Sequence, residues 1–382
     1  MWNLASKLWH PNRKTSATCL FSFDRPLLVL QSDDWGRVGV KDQEGYEQLR
    51  AQGLQLGQHP YDAYTLETAE DVSALCELLK RHRDCTGRPP CLVTNFVMAN
   101  LDFSAMAREE YRALRLRPLS DGLPGEWSRP RLFEAYRDGI AEGVFYPALH
   151  GLTHFCQRAI EHNLSGQTDR GTLLRMLWKA ETPYIYWRMP WVGYEYHNPE
   201  RPQAGFLERE LQVRLIAEAA KVFRKLFGVP AFSACAPGYR ANQDTHDAWH
   251  AQGVRVTQNG TGAPQPAFLD DREMLHLSRT IDVEPAQRDL PVDKYVQLAE
   301  DCFRRGVPAI VSVHSINFHS TLKDFRGATL AALDQFLSAL EARHPNLLYV
   351  HDGDLYQIVN RGRFKSTRGA VAVSAKRRDA AV

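Results

Sequence analysis

Short apolar runs alternate with longer amphipathic stretches along almost the whole chain, and this alternation restricts the possible folds more than any other feature. The run at 26–31 (PLLVLQ) is typical of a buried strand. The stretch at 68–82 is typical of a helix, because Thr68 can cap its first turn and apolar residues recur at helical spacing. Alternation at this spacing predicts a parallel α/β architecture. About seven such units predict an irregular (β/α) barrel.

The predicted elements follow one another without a linker rich in glycine, proline or serine. The other predicted strands are 91–98, 144–149, 231–236, 254–257, 275–283, 309–314 and 347–350, and the other predicted helices are 129–142, 207–227, 243–252, 292–305 and 327–343. We expect an N-terminal extension at 1–20, a barrel domain at 21–360 with an insertion at about 155–201, and a tail at 361–382. The tail carries basic residues between small and polar ones, and this composition predicts disorder.

The composition is that of a globular protein without a strong charge. Hydrophobic residues make up 44% of the 382 residues, which is enough for a sizeable core, and the net charge of +2 gives no support for a nucleic-acid partner. No apolar run approaches the ~20 residues that cross a bilayer, so no transmembrane segment is expected. Residues 1–20 lack the features of a signal peptide, and we expect a cytoplasmic protein. The seven cysteines are scattered without a C-x-x-C pair, which favours reduced thiols over a disulfide framework or a cysteine zinc cage.

Polar residues stand where several predicted strands end. Asp33 and Asp34 follow the first predicted strand, and His150 and His154 follow the strand at 144–149. In a barrel, the carboxyl ends of the strands build the active site. Two histidines at this spacing can reach one ion, and together with one carboxylate they leave a coordination position open for water, as in catalytic zinc sites. The second carboxylate is then a candidate general base, although Asp33 could also be a turn residue.

The segment at 155–201 breaks the alternation and is rich in aromatic residues. Flat aromatic faces at the mouth of a pocket suit sugar rings, but a subdomain that buries its own aromatic side chains would have the same composition. The sequence leaves both interpretations open. The residues concerned are Tyr184, Tyr186, Trp187, Trp191, Tyr194, Tyr196 and His197.

Four motifs occur in a fixed order: S-D-D-W-G at 32–36, H-G-L-T-H at 150–154, A-P-G-Y at 236–239 and V-S-V-H at 311–314. Together they resemble the ordered motifs of the polysaccharide deacetylase superfamily (carbohydrate esterase family four), and most closely a divergent S-D-D-W-G branch, over roughly residues 26–358. The resemblance implies an irregular (β/α) barrel, a carbohydrate substrate and a divalent metal, with Zn²⁺ expected. It also implies roles, with Asp33 as catalytic base, Asp34, His150 and His154 as metal ligands, and His314 as the histidine that protonates the leaving amine.

Two positions depart from the family pattern. The arginine expected in the third motif is replaced by Cys235, and we expect Arg240 to reach back to Asp33 in its place as a catalytic residue. The acid that would orient the late histidine has no clear match, so Asp282 is the first candidate and Glu284 the alternative. The residues expected to contact the substrate are Trp35, Tyr239, Trp191, Tyr194 and Asn317.

The favoured function is metal-dependent hydrolysis that removes an acetyl group from an N-acetylated sugar, with an activated water, an aspartate base and a histidine acid. Without an export signal, we expect a nucleotide-linked or lipid-linked sugar intermediate rather than cell-wall glycan. Other interpretations stay open. A glycoside hydrolase would need two carboxylates, which Asp33 with Glu195 or Glu284 could supply. A linear-amide hydrolase or a non-catalytic carbohydrate-binding protein could use the same barrel, and nothing in the sequence favours a particular oligomeric state.

Overall fold

The computed structural model describes residues 19–166, 168–201, 205–288, 290–366 and 369–379. Its strands are β1 Cys19–Phe23, β2 Leu27–Trp35, β3 Leu92–Phe96, β4 Ala99–Leu101, β5 Leu116–Pro118, β6 Phe145–Leu149, β7 Ser233–Cys235, β8 Val256–Gly260, β9 Ala267–Leu269, β10 Leu275–Arg279, β11 Ile281–Asp282, β12 Ala309–His314, β13 Leu348–Tyr349, β14 Arg363–Ser366, β15 Gly369–Ala372 and β16 Ala375–Asp379. Its α-helices are α1 Gln43–Ala51, α2 Ala69–Arg81, α3 Phe103–Arg108, α4 Leu132–Ala141, α5 Gln157–Leu164, α6 Asp169–Lys179, α7 Arg209–Phe227, α8 Gln243–Ala251, α9 Val292–Arg304, α10 Arg326–Arg343 and α11 Asp352–Arg361. Within these ranges every helix is too short or too polar to span a bilayer. The predicted N-terminal extension at 1–20 lies outside the described residues, except for its last two positions, which belong to β1.

Parallel strands form the barrel. β2, β3, β6, β7 and β8 lie side by side in that order, with β12 next to β2 and β10 next to β8. Only Thr280 separates β10 from β11, and β11 pairs in parallel with β12. The strand that β10 and β11 make together therefore connects both ends of the curled parallel sheet. The predicted irregular barrel of about seven units is confirmed.

The local sequence explains both β2 and α2. β2 is buried at every position because β3, β12 and β13 pair with it, and a strand covered on both faces forms from a continuous apolar run. At the start of α2, Thr68 Oγ1 accepts a hydrogen bond from Asp71 N at 3.1 Å, and Asp71 Oδ2 accepts one from Thr68 N at 2.9 Å. The helix predicted from apolar residues at helical spacing is confirmed, and those residues, Val72, Leu75, Cys76, Leu78 and Leu79, are all buried.

An antiparallel extension continues the sheet beyond β10 through β9, β1 and β16. The prediction of a disordered tail at 361–382 is wrong for the residues that form β14, β15 and β16. Exposed and buried residues alternate along β14, and Phe364 and Val373 pack into a core cluster together with β1. The composition did not reveal this small core because Phe364 stands between two basic residues and Val373 lies among small ones. Positions 367–368 and 380–382 of the tail lie outside the described residues.

The predicted insertion at 155–201 contains α5, α6 and two short 3-10 turns, Tyr186–Arg188 and Pro190–Val192. Two of its aromatic side chains, Tyr184 and Tyr196, are buried in the main core cluster, as the subdomain interpretation expects. The other aromatic rings of the set are half-buried. The insertion therefore combines a core contribution with aromatic surface that can face a ligand.

Candidate metal and catalytic site

Side chains from several strands meet at the carboxyl end of the barrel. Asp33 and Asp34 lie near the end of β2, and His314, the last residue of β12, is in register with Asp33. His150 directly follows β6. These residues converge because the carboxyl ends of parallel strands lie at the same edge of the sheet.

Asp34, His150 and His154 form a compact group of three candidate ligands. Asp34 Oδ1 lies 3.1 Å from His154 Nε2 and 3.6 Å from His150 Nε2. The other ring nitrogens are engaged elsewhere. His150 Nδ1 donates to Cys235 O at 2.9 Å, and a hydrogen bond of 2.9 Å joins His154 Nδ1 to Tyr184 Oη. These outer contacts fix both rings so that each Nε2 faces the same carboxylate oxygen.

The residues of this group fit a divalent ion. Asp34 Oδ1 is buried, and among the described residues it has no hydrogen bond of normal geometry. A buried polar atom without a partner costs about 1–3 kcal/mol, and more when it is charged, so a cation bound at this oxygen would be stabilising. The three ligand atoms lie within 4.8 Å of one another. Two imidazole nitrogens and one carboxylate oxygen are donors that catalytic zinc sites use.

Arg37 holds the second oxygen of Asp34. Its Nη2 lies 3.0 Å from Asp34 Oδ2, its Nη1 donates to Tyr184 Oη at 2.7 Å, and its guanidinium lies 3.9 Å from the centre of the Tyr64 ring. Burial alone would raise the pKa of Asp34, but the charge of Arg37 holds this pKa well below its usual value. Burial lowers the pKa of His154, so its ring is neutral and can offer a lone pair to an ion.

Asp33 has different partners from its neighbour. Arg279, at the end of β10, makes two hydrogen bonds to it, from Nη1 to Oδ2 at 2.6 Å and from Nη2 to Oδ1 at 2.7 Å. Asn95 Nδ2 also donates to Asp33 Oδ1, at 2.8 Å. Burial alone would raise the pKa of Asp33, but the charge of Arg279 lowers this pKa far below its usual value. Asp33 is therefore ionised and fixed in orientation.

The prediction that Arg240 reaches back to Asp33 is wrong. Arg240 is exposed, and within the part of the chain that the structure describes, the hydrogen bonds of Asp33 come from other residues. Because Arg279 reaches Asp33 from β10, no arginine is required at position 235 on β7. The small Cys235 stands there, with its Sγ 3.9 Å from Asp33 Oδ2. Asp33, His150 and Cys235 also lie within 4.8 Å of one another, but the charge of Arg279 on Asp33 disfavours an ion there.

His314 is oriented by Glu284. His314 Nδ1 lies 2.5 Å from Glu284 Oε1, and the backbone N–H of His314 donates to the same oxygen at 3.0 Å. Burial alone would lower the pKa of His314, but the charge and hydrogen bond of Glu284 raise it to about 9. Asp282, our first candidate for this role, is the wrong acid, because its side chain is 49% exposed and lies 3.9 Å from Arg288. The alternative candidate, Glu284, is the observed partner.

Two of the residues expected to contact the substrate border the site. The ring centre of Tyr194 lies 5.9 Å from that of His154. Tyr239 is 37% exposed, and its hydroxyl accepts a hydrogen bond from Arg279 Nη1 at 3.0 Å. Tyr194 therefore lies beside a candidate metal ligand, and Tyr239 lies beside the arginine that binds Asp33.

The other residues of that set have structural surroundings. Trp35 is fully buried and donates to Ser32 Oγ at 2.9 Å, and Asn317 is fully buried and donates to both Glu284 and the backbone of His314. The prediction of substrate contact is therefore wrong for these two enclosed side chains. Trp191 lies against Arg170 on α6, and the guanidinium carbon of Arg170 is 5.1 Å from the centre of the Trp191 ring.

The partners of the two aspartates are the residues that the sequence analysis missed. Arg279 and Asp33 are 246 positions apart, and Arg37 and Tyr184 are 147 apart, so no local motif links them. Among these partners Arg279 left a signal, because a charged side chain within the predicted strand at 275–283 needs a partner if it is buried.

Comparison with known proteins gives structural similarity only. The chain matches no family model. No curated protein sequence matches it. Among solved structures, it is similar to a Mycobacterium smegmatis protein provisionally assigned as a polysaccharide deacetylase, with a TM-score of 0.48 and 12% identity over 91% of this chain and 94% of that one. A Pseudomonas aeruginosa PAO1 protein with the same provisional assignment gives a TM-score of 0.46 and 15% identity over 88% of this chain and 91% of that one.

A third similar structure is a family 4 acetyl xylan esterase from Clostridium thermocellum in complex with a cobalt ion. Its TM-score is 0.37 at 10% identity, over 87% of this chain and 92% of that one. All three TM-scores lie below 0.5, so the case for a function rests on the residues of the site. The chain is thus similar to solved structures of polysaccharide deacetylases and family 4 carbohydrate esterases.

Proposed function

We propose that this protein is a metal-dependent hydrolase that removes the acetyl group from an N-acetylated sugar. One observation carries the proposal. Asp34 Oδ1 is buried, faces two imidazole nitrogens and has no hydrogen bond of normal geometry within the described part of the chain, while Asp33 beside it is ionised and held by Arg279. A ligand set with an adjacent fixed carboxylate is an arrangement that supports metal-assisted hydrolysis of an amide or ester. The order of the four motifs supports a carbohydrate substrate.

Asp34, His150 and His154 would hold the ion, and two imidazoles with one carboxylate favour Zn²⁺. When bound there, the ion would polarise the acetyl carbonyl and acidify a water molecule. Asp33 would accept the proton of the attacking water. The low pKa of Asp33 keeps it ionised but makes it a weak base, so its contribution depends on the orientation that Arg279 imposes.

His314 would protonate the departing amine. Its pKa of about 9 keeps the ring protonated at neutral pH, and the contact of Nδ1 with Glu284 leaves Nε2 as the nitrogen that can face the substrate. The register between His314 on β12 and Asp33 on β2 places the proton donor beside the base. The two groups therefore have opposite protonation states, as an acid–base pair needs.

The glycosidase alternative is disfavoured by the surroundings of its second carboxylate. Glu195 is buried and accepts hydrogen bonds from Leu152 N at 2.8 Å and Thr153 N at 3.1 Å, so it holds the loop that carries the histidines. Glu284 is engaged by His314 and Asn317. Neither acid is free to flank a glycosidic bond together with Asp33.

The test is acetate release from a panel of N-acetylated sugars, before and after complete chelation and after readdition of Zn²⁺. We expect activity that chelation abolishes and Zn²⁺ restores, and that Asp33→Asn lowers by about 10²–10⁴-fold. Activity that survives complete chelation would contradict the mechanism. New reducing ends without acetate would instead identify a glycosidase, and sugar binding that Asp33→Asn leaves intact without any turnover would identify a binding protein.

A further inference from the structure

We infer that the site acts on a single or terminal N-acetylated sugar and not on internal sugars of a polymer, because a wall of tyrosines closes the site beside His154. We call Tyr61, Tyr186 and Tyr194 the tyrosine wall. The inference rests on the proposed deacetylase function and defines the substrate class more narrowly.

The tyrosine wall is continuous along the His154 side of the site. The ring centres of Tyr186 and Tyr194 each lie 5.9 Å from that of His154, and their hydroxyl groups are hydrogen-bonded to each other. At one end, the Tyr61 ring lies 6.0 Å from Tyr186. At the other end, Tyr194 touches the loop after β7 so closely that a Cβ on Gly238 would lie 2.3 Å from its ring. These contacts form an unbroken row from Tyr61 through Tyr186 and Tyr194 to Gly238.

The tyrosine wall is anchored to the barrel. Tyr61 stacks on Tyr64 with ring centres 5.9 Å apart, and Tyr64 Oη donates to Asp34 O at 2.9 Å. Next to Tyr186, Trp187 Nε1 and Arg188 Nε donate to the fully buried Asp62 at 2.8 Å and 2.9 Å. A buried, charge-assisted contact of this kind resists displacement. The insertion is therefore a fixed border of the site.

Exposure shows which side stays open. Asp34 is 2% exposed, His150 1% and His154 8%. By contrast, the His314 side chain is 28% exposed and Tyr239 is 37% exposed. Because the tyrosine wall borders the ligand group beside His154, we place the entry of the substrate on the side of His314 and Tyr239. An internal sugar needs room for chain on both sides of its acetamido group, and a site with one closed side accepts only a chain end or a single sugar.

The experiment uses the Zn²⁺-loaded full-length chain with the monomer and the tetramer of N-acetylglucosamine, and mass spectrometry locates each lost acetyl group. We expect wild type to deacetylate the monomer and only a terminal sugar of the tetramer. The double variant Tyr186→Ala/Tyr194→Ala should gain internal deacetylation by about tenfold or more, because it opens the closed side. Tyr356→Ala on α11, a half-buried tyrosine outside the site, is the matched control and should stay restricted to chain ends.

The outcomes separate this inference from the proposed function. Internal deacetylation by wild type at the terminal rate would overturn the inference and leave the deacetylase intact. A double variant that melts at the wild-type temperature, is active, and still acts only at chain ends would show that other residues set the restriction, and would also overturn it. Absence of acetate release from every N-acetylated sugar tested would instead refute the proposed function, and the inference would fall with it.

Discussion

Adjacent aspartates at the end of β2 acquire different chemistry from their surroundings. Asp33 is bound by Arg279 and Asn95, whereas Asp34 is bound by Arg37 and faces two histidines. Asp34 has a positive φ of 74°, which departs from strand geometry and re-aims its side chain. Two neighbouring carboxylates can therefore serve as base and ligand without sharing partners.

Among the residues around Asp33, Arg279 is the one whose replacement should lower folding stability and activity most. Arg279→Gln leaves a buried carboxylate without its counter-charge, so we expect about 3–5 kcal/mol of lost folding stability. We also expect kcat/KM to decrease by about 10²-fold or more, because the base loses its orientation. Urea unfolding and steady-state kinetics measure the two effects. The comparison variant Arg240→Gln should change stability little, and a larger effect of Arg240→Gln than of Arg279→Gln would refute the assignment.

The contact between His314 and Glu284 predicts a pH dependence. The folded pKa of about 9 lies above the unfolded value of about 6.5, so the contact stabilises the protonated ring. Its contribution to stability is fully present below about pH 6.5 and is lost as the pH rises through about 9. We therefore expect kcat/KM to decrease on the alkaline side near pH 9, and Glu284→Gln to move this decrease to lower pH. An unchanged alkaline limb in Glu284→Gln would show that another group controls it.

At the scale of elements, local signals were sufficient where each element carries its own pattern. α9 was predicted at 292–305 and spans Val292–Arg304, because its apolar stripe is set by its own residues. β14–β16 were missed because Phe364 and Val373 are buried in a core cluster that includes β1, which is distant in sequence.

The same distinction applies to the site. The three candidate ligands come from two short motifs that the sequence displays, whereas Arg279 and Glu284 act through contacts that only barrel closure creates. Pattern alone assigned these roles to Arg240 and, first, to Asp282. Arg240 and Asp282 lie close to the motifs in the sequence, but their side chains are exposed.

The ordered tail gives a prediction for β16. Removal of residues 375–382 deletes β16 and leaves one edge of β1 without a partner. The backbone hydrogen bonds between β1 and β16 are then lost. We expect a loss of roughly 2–3 kcal/mol, which corresponds to a decrease of several degrees in the thermal midpoint. Removal of residues 380–382 alone is the control and should leave the midpoint unchanged. Equal midpoints for both truncations would show that β16 contributes nothing to stability.

At the scale of the whole molecule, barrel closure joins residues that are far apart in the chain. β10 and β11 contact β8 on one side and β12 on the other, and this single strand carries Arg279 to Asp33. Glu284, just beyond β11, reaches His314 at the end of β12. Base and acid are therefore oriented by the same segment, so a change that displaces it should affect both functions together.

Metal content tests the central claim most directly. After incubation with Zn²⁺ and removal of free metal, wild type should retain about one ion per chain. Asp34→Asn, His150→Gln and His154→Gln should each retain almost none. His276→Gln, which alters a buried histidine on β10 outside the ligand group, should retain as much as wild type. Absence of bound metal in wild type, or equal metal content in wild type and all three ligand variants, would contradict the account.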